Sequence, residues 1–378
     1  MSTVQEETIV FIGGHHSLDG LSTSPFLIHQ IMTVTPPLPV RCSIIRDGLE
    51  QTGQSLVIHA PYTINLAEPP TSSAGKRSVK TLQEQLVLAS NLWPRNGTRV
   101  VQVVFHVGKS NQYPVLDAQH YFFENLTTVL ATVPLPPNVE LLLETSAGQG
   151  TELFTTLDSI FSVYNHFRVY PNFGICVDTC HIWSAGNSLE SFLSRPELDQ
   201  MPCPVRLIHL NDSETSFGSR VDRHANLGTG SIFRGIDGQQ RLEKFVRWTA
   251  DKKIPIILET DRAFHADEVK MLYDIIYPGR NIYLQLTNRL SSLAVASDDL
   301  VLQETEIITT PVMNLNEKII HILGILADTA SDRFRKKALN DAVETVRGLP
   351  FIITNPGQVK GMKGIGKGSI FDRINEIY

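Results

Sequence analysis

The sequence predicts an α/β protein, a closed (β/α)8 TIM barrel followed by a small all-α domain. Three observations predict it. Eight short apolar runs alternate with helical stretches, which implies parallel strands joined by crossover helices. Six of those runs end on a histidine or a carboxylate. Past residue 313 the alternation stops and the chain turns helical and basic.

The strand-like runs lie at 8–12, 40–44, 55–58, 100–105, 139–143, 173–177, 205–208 and 255–258. Each is short and nearly continuously apolar, as strands buried on both faces should be. Helical stretches fall around 79–92, 117–131, 238–251 and 264–275. A barrel takes roughly 250 residues, so a chain of 378 residues leaves room for a second domain. The expected division is a barrel over 1–288, a linker over 289–313 and a helical domain over 314–378. That last segment holds ten Lys/Arg against seven Asp/Glu, a net of +3, which leaves −9 for the rest of a chain of net charge −6. A basic tail on an acidic barrel points to a locally anionic partner rather than a protein coated in positive charge.

The four cysteines, Cys42, Cys176, Cys180 and Cys203, form no CxxC pair. That spacing suits a reduced intracellular compartment better than a disulfide framework. The N-terminus shows no signal-peptide pattern, and no apolar run approaches the roughly 20 residues of a membrane span.

The strand ends carry the chemistry. His59, His106, Glu144, Asp178, His209 and Glu259 close the third to the eighth run. In a barrel the C-terminal strand ends converge on one face. Asp, Glu, His and Cys make up 55 of 378 residues, so six successive ends would carry them by chance roughly once in 10⁵. His181 follows Asp178 by three residues, and Asp222 and His224 are two apart. Imidazole and carboxylate ligands suit zinc or manganese, and nine exceed what one ion takes. Paired ions can generate a nucleophile and stabilise an in-line displacement at phosphorus.

Six segments in order, IHAPYTINL (58–66), ETSAGQG (144–150), VDTCH (177–181), HLND (209–212), FGSRVDRH (217–224) and LGTG (227–230), resemble the signatures of the endonuclease IV family. That resemblance covers about 8–280. It implies a zinc-dependent endonuclease of base excision repair that cuts DNA 5′ to abasic sites, leaving a 3′-hydroxyl and a 5′-deoxyribose phosphate, with 3′-phosphodiesterase activity besides. It also implies three zinc ions: His59 and His106 on the first, Glu144 bridging to a second held by Asp178, His209 and Glu259, and His181, Asp222 and His224 on the third. Glu144 and Glu259 are the implied catalytic carboxylates. Tyr62 matches a residue that enters the duplex; the next position, a large apolar wedge in the family, is Thr63 here. Arg46 stands for a basic finger after strand two, and Arg223 adjoins the third zinc set. The implied partner is double-stranded DNA with abasic sites or blocked 3′ ends, beside other repair enzymes, for a monomer.

Residues 318–328 and 334–350 read as amphipathic helices, and VKGMKGIGKGSIFDRINEI follows at 359–377. This stretch is similar to the lyase domain of family X DNA polymerases, with a helix-hairpin-helix whose glycines turn backbone N–H groups toward a phosphate. DNA contacts are expected from Lys360, Lys363, Gly364, Gly366, Lys367 and Arg335, with Lys336 assisting. The lysine that would form a Schiff base in the polymerases falls at Arg373 or Asp372, so DNA gripping is the expectation rather than lyase chemistry. Two rival readings are a sugar isomerase and a non-catalytic DNA scaffold. An isomerase needs about four ligands and leaves His181, Asp222 and His224 unexplained; a scaffold leaves the complete ligand set unexplained.

Overall fold

A computed structural model describes residues 9–16, 26–32, 39–92, 100–133 and 135–291, together with 316, 319, 320, 323, 327, 333–350, 353, 355–366, 370, 371 and 374. The chain divides into two compact units, Met1–Asp298 and Asp299–Tyr378.

In the first unit, eight parallel strands close on themselves: β1 (Ile12–His15), β2 (Ile28–Met32), β3 (Ser55–His59), β4 (Val101–Phe105), β5 (Val139–Glu144), β6 (Phe173–Asp178), β7 (Val205–His209) and β10 (Ile256–Leu258). A short antiparallel pair, β8 (Asp212–Ser213) and β9 (His224–Ala225), stands apart from the barrel. Helices α1 (Pro39–Thr52), α2 (Ser73–Leu92), α3 (Val115–Thr132), α4 (Leu157–Phe167), α5 (Thr179–Ser184), α6 (Leu189–Leu193), α7 (Gly235–Asp251) and α8 (His265–Ile276) connect the strands. Residues 282–291 are helical as well.

One strand lies elsewhere than the sequence suggested. The run at 40–44 sits inside α1, and the second strand is Ile28–Met32. Pro39 favours a first helical position, and the apolar residues Cys42, Ile45 and Leu49 recur at helical spacing and pack on the core. The true strand hides behind His29 and Gln30, polar types that break an apolar run. The first strand likewise starts at Ile12, later than expected.

The barrel interior alternates with period two. Ile28, Val57, Val104, Leu142, Cys176, Leu207 and Ile257 form one buried cluster inside the ring. The neighbouring positions on the same strands, such as Leu56, Ile58, Val103 and Leu141, point outward into a larger core shared with the helices. Fully burying each aliphatic side chain stabilises the fold by about 1.5–3 kcal/mol. The wall is tight where β1 meets β2: a Cβ at Gly13 would lie 1.7 Å from the Ile28 carbonyl oxygen. Among the described residues no helix is long and apolar enough to cross a membrane, and all four cysteines are unbridged.

In the second unit the helix Arg333–Arg347 and a 3-10 turn, Pro356–Val359, surround a core that includes Ile319, Leu323, Leu339, Val346, Val359, Ile365 and Ile374. Gly361, Gly364 and Gly366 all adopt the left-handed conformation. At Gly364 a Cβ would also come within 2.5 Å of the Ala342 amide nitrogen, so glycine is required twice over.

Candidate metal centre

Two residues beyond each member of the interior apolar cluster lies a polar side chain: Gln30, His59, His106, Glu144, Asp178, His209 and Glu259. The parallel register pairs Asp178 with His209 and staggers the others by one two-residue step: Gln30 pairs with Val57, His59 with Val104 and Glu144 with Cys176. The same two-residue step that turns a side chain inward therefore carries the polar set to the C-terminal mouth of the barrel.

All nine residues singled out as ligands come together, in groups whose ligand atoms lie within 4.8 Å of one another: His59, His106 and Glu144; Glu144, Asp178, His209 and Glu259; and Asp178, His181 and His224, with Asp222 joined to His224 in a further group. Glu144 spans two of them. Its Oε2 lies 3.3 Å from His59 Nε2 and 3.1 Å from His106 Nε2, and its Oε1 lies 2.8 Å from His209 Nδ1. Asp222 spans His181 and His224, at 3.2 Å to each Nε2.

Local structure aims these groups. Asp178 caps α5 by accepting the His181 backbone N–H at 2.9 Å, which brings His181 to the mouth one turn later. Gln149 Oε1 accepts the Asp222 backbone N–H at 3.1 Å. Asp212, the last residue of HLND, accepts backbone N–H groups of Ser213, Gly228, Gly230 and Ile232 and so ties the loop over 212–232 to the barrel. Asn211 donates to Asp178 Oδ2 at 2.7 Å and accepts the Glu259 backbone N–H at 3.0 Å.

The ring nitrogens show which atoms face the site. His59 Nδ1 lies 2.9 Å from the Ala60 carbonyl and His181 Nδ1 lies 2.8 Å from that of Thr145. A carbonyl only accepts, so each Nδ1 donates and Nε2 is the nitrogen that each ring turns into the site. There His59 Nε2 meets His106 Nε2 at 3.3 Å and a carboxylate oxygen at the same distance. Glu144 Oε2 and His224 Nε2 are buried without a hydrogen bond. Lone pairs converging on lone pairs are repulsive unless a cation lies between them, so the residues present fit metal ions.

The same crowding of charge shifts the proton affinities of the site. Burial would lower His224, but Asp178 and Asp222 outweigh it and raise the ring to about 9. His181 and His209 are driven well above the ordinary imidazole range against the same desolvation, by Asp178 in the first case and by Cys176, Glu259 and Glu144 in the second. Burial would raise Glu144, yet His106 and His209 hold it well below the carboxylate range. Glu259 falls to about 2, where His209 outweighs burial. Burial raises the Cys176 and Cys180 thiols to about 12 and about 11, so these neighbours stay protonated and are poor ligands.

Tyr62 stands at the rim, 65% exposed, its ring centroid 5.1 Å from that of His59 and 5.0 Å from that of His106. Arg223 is exposed and donates to the Asp222 carbonyl at 2.6 Å. Arg46 is not at a strand end: it lies about two turns into α1, beside Asp47 at 3.3 Å, because 40–44 is helical. In the second unit, Lys360 Nζ stands 4.9 Å above the Phe371 ring, and the Lys363 carbonyl accepts from Thr345 at 2.8 Å. Lys367, Asp372, Arg373, the Arg335 side chain and the linker over 292–313 lie outside the described residues. Gln30 and Asn211 were missed as site residues. Gln30 carried a signal, since it follows Ile28 by the same two positions as His59 follows Val57, but the strand itself had been misplaced.

The family model described as a xylose isomerase-like TIM barrel matches residues 29–273. A relative from Acanthamoeba polyphaga mimivirus that carries the name endonuclease 4 is 34% identical over 259 residues, 62% of this chain and 77% of its own. The chain belongs to the endonuclease IV family. Within solved structures, endonuclease IV from Thermus thermophilus is 24% identical with a TM-score of 0.52, over 70% of this chain and 98% of that one. A D-tagatose 3-epimerase-like protein is 17% identical with a TM-score of 0.54, over 74% and 98%. These two likenesses show the fold alone, which nucleases and sugar-converting proteins share. The family match ends at residue 273 and does not extend over the second unit.

Proposed function

We propose that the barrel hydrolyses the DNA phosphodiester 5′ to an abasic site, leaving a 3′-hydroxyl and a 5′-deoxyribose phosphate, and that it trims blocked 3′ ends with the same centre. As a member of the endonuclease IV family it is a hydrolase that cuts DNA. The observation that carries the finer reading is the set of nine imidazoles and carboxylates in overlapping groups, with Glu144 spanning His59, His106 and His209 and Asp222 spanning His181 and His224. An isomerase centre would leave His181, Asp222 and His224 without a task.

His59, His106 and Glu144 would hold one zinc ion, Glu144, Asp178, His209 and Glu259 a second, and His181, Asp222 and His224 a third. Bound there, the ions would supply a hydroxide at neutral pH and positive charge for the phosphate oxygens. Glu259, held ionised, would accept a hydrogen bond from the attacking water and orient it. Tyr62 would lie against the lesion, where no base is present to be displaced and opening the duplex costs least. The −9 charge of the barrel sequence is compatible with a DNA substrate because the ions reverse its sign locally.

The second unit would grip nicked or gapped DNA through the left-handed turn at Gly364 and Gly366 and through Lys360, Lys363, Lys367 and Arg335. Reversing the charge of Lys360 and Lys363 together should weaken binding to nicked duplex at low salt and reduce the salt slope by about 2. An unchanged slope would remove the tail from the interface.

The main reading is tested by incubating zinc-loaded protein with a duplex holding one abasic site. The expected product is a single cut 5′ to the lesion that disappears after chelation and returns with zinc. Absence of that cut in protein with a full metal complement would overturn it.

A further inference from the structure

We propose that Gln30 is a positioning residue of the centre, whose one amide orients both a histidine and a carboxylate ligand; the inference rests on the metal-dependent reading above. Gln30 lies on β2, fully buried, two strands round the closed ring from β10 and three from β7. Its Oε1 is 2.8 Å from His209 Nε2, and its Nε2 donates to Glu259 Oε1 at 2.6 Å. The amide also passes 3.4 Å from His15 Nδ1, a long contact at best.

Chemistry settles which way this amide points. An ionised carboxylate only accepts, so the side facing Glu259 is the NH₂ group. The oxygen then faces His209, whose Nε2 must carry the proton. That leaves Nδ1 as the nitrogen turned to the site, facing Glu144 Oε1 at 2.8 Å and Glu259 Oε2 at 3.3 Å. One side chain thereby settles the tautomer of His209 and fixes the plane of its ring. The other half of the amide binds Glu259 through Oε1 and turns Oε2 to the site, where Asn211 Nδ2 donates to it at 3.4 Å. Flipping the amide would place two oxygens 2.6 Å apart, so the arrangement has one stable state. Groups that hydrogen-bond a ligand's far side typically change metal affinity by about 10–100-fold when removed.

The test compares wild type with Gln30→Met and Gln30→Glu. Methionine keeps the bulk and loses both hydrogen bonds, whereas glutamate keeps an acceptor for His209. Zinc affinity is measured by competition with a chromophoric chelator. The His209 Nε2 proton is followed by nitrogen-edited NMR in zinc-loaded protein, where the Gln30 bond should make it slow to exchange. Q30M should bind zinc about 10–100-fold more weakly and lose the slow proton, and Q30E should retain that proton. Affinity within twofold of wild type and an unchanged proton signal in Q30M would overturn the proposal. Should Q30M fail to fold, Q30E decides: a retained proton with weakened zinc binding supports the role, and unchanged affinity overturns it. Wild-type protein that binds no zinc would instead overturn the reading on which the proposal stands, so the two failures are distinguishable.

Discussion

Two rings of side chains line the inside of this barrel, one residue pair apart on the same strands. The lower ring is apolar, from Ile28 and Val57 round to Leu207 and Ile257. The upper ring holds Gln30, His59, His106, Glu144, Asp178, His209 and Glu259. The backbone treats them identically, yet they act differently. The lower ring stabilises the fold by removing hydrocarbon from water. The upper ring takes ionised groups out of water at several kcal/mol each, a cost that opposite charges offset where Glu144, Glu259 and His209 are held in their charged forms. The closed strands beneath hold those charges together, and their lone pairs are left for cations.

Substitutions in the two rings should therefore produce different results. The largest effect is expected at Glu144, the carboxylate shared between two histidine sets. Glu144→Gln should lower incision by at least about 10³-fold, the several kcal/mol that shared metal binding contributes at phosphorus. The metal-free barrel should also melt earlier at neutral pH, because the fold favours the ionised Glu144 and glutamine leaves His106 and His209 without that charge. A rate within tenfold of wild type would show that Glu144 is not shared between ions. Next comes the lower ring. Leu207→Ala should destabilise the fold by about 2–5 kcal/mol in denaturant titration while metal content stays constant at low temperature. Loss of metal without loss of stability would break the separation of the rings.

The third effect is smaller and graded with pH. The metal-free His224 ring is protonated below about 9, and an ion needs it neutral. Zinc affinity should thus fall as pH drops below about 9, by about tenfold per unit for each proton displaced. Binding at neutral pH should release protons to a weak buffer. The raised pKa also stabilises the metal-free fold below the unfolded value of about 6.5, and that contribution is lost as pH rises through about 9. Affinity that does not change across that window would count against imidazole ligation.

Much of the site was legible along the chain. The upper-ring ligands close or directly follow apolar strands, and a side chain two positions past an inward apolar residue must face the same way. His181 was legible because Asp178 begins a helix, and one helical turn returns the chain to the same edge. The stretch at 40–44, just before Arg46, reads as a strand because VRCSI begins and ends on a β-branched residue, and five residues cannot separate a strand from part of a helix. Gln30 was lost with the strand that carries it.

The sequence alone determined the barrel class and the nine imidazoles and carboxylates of the candidate centre with the order in which they occur, since each depends on local periodicity and residue chemistry. Only the tertiary structure decided which strand follows the first, that Glu144 turns one oxygen to His59 and His106 and the other to His209, and that Gln30 stands behind His209 and Glu259. Those facts depend on distances across a closed ring. Residues 179 and 229 positions apart in the chain meet there because parallel register and barrel closure set their heights, and no period within a single segment encodes that.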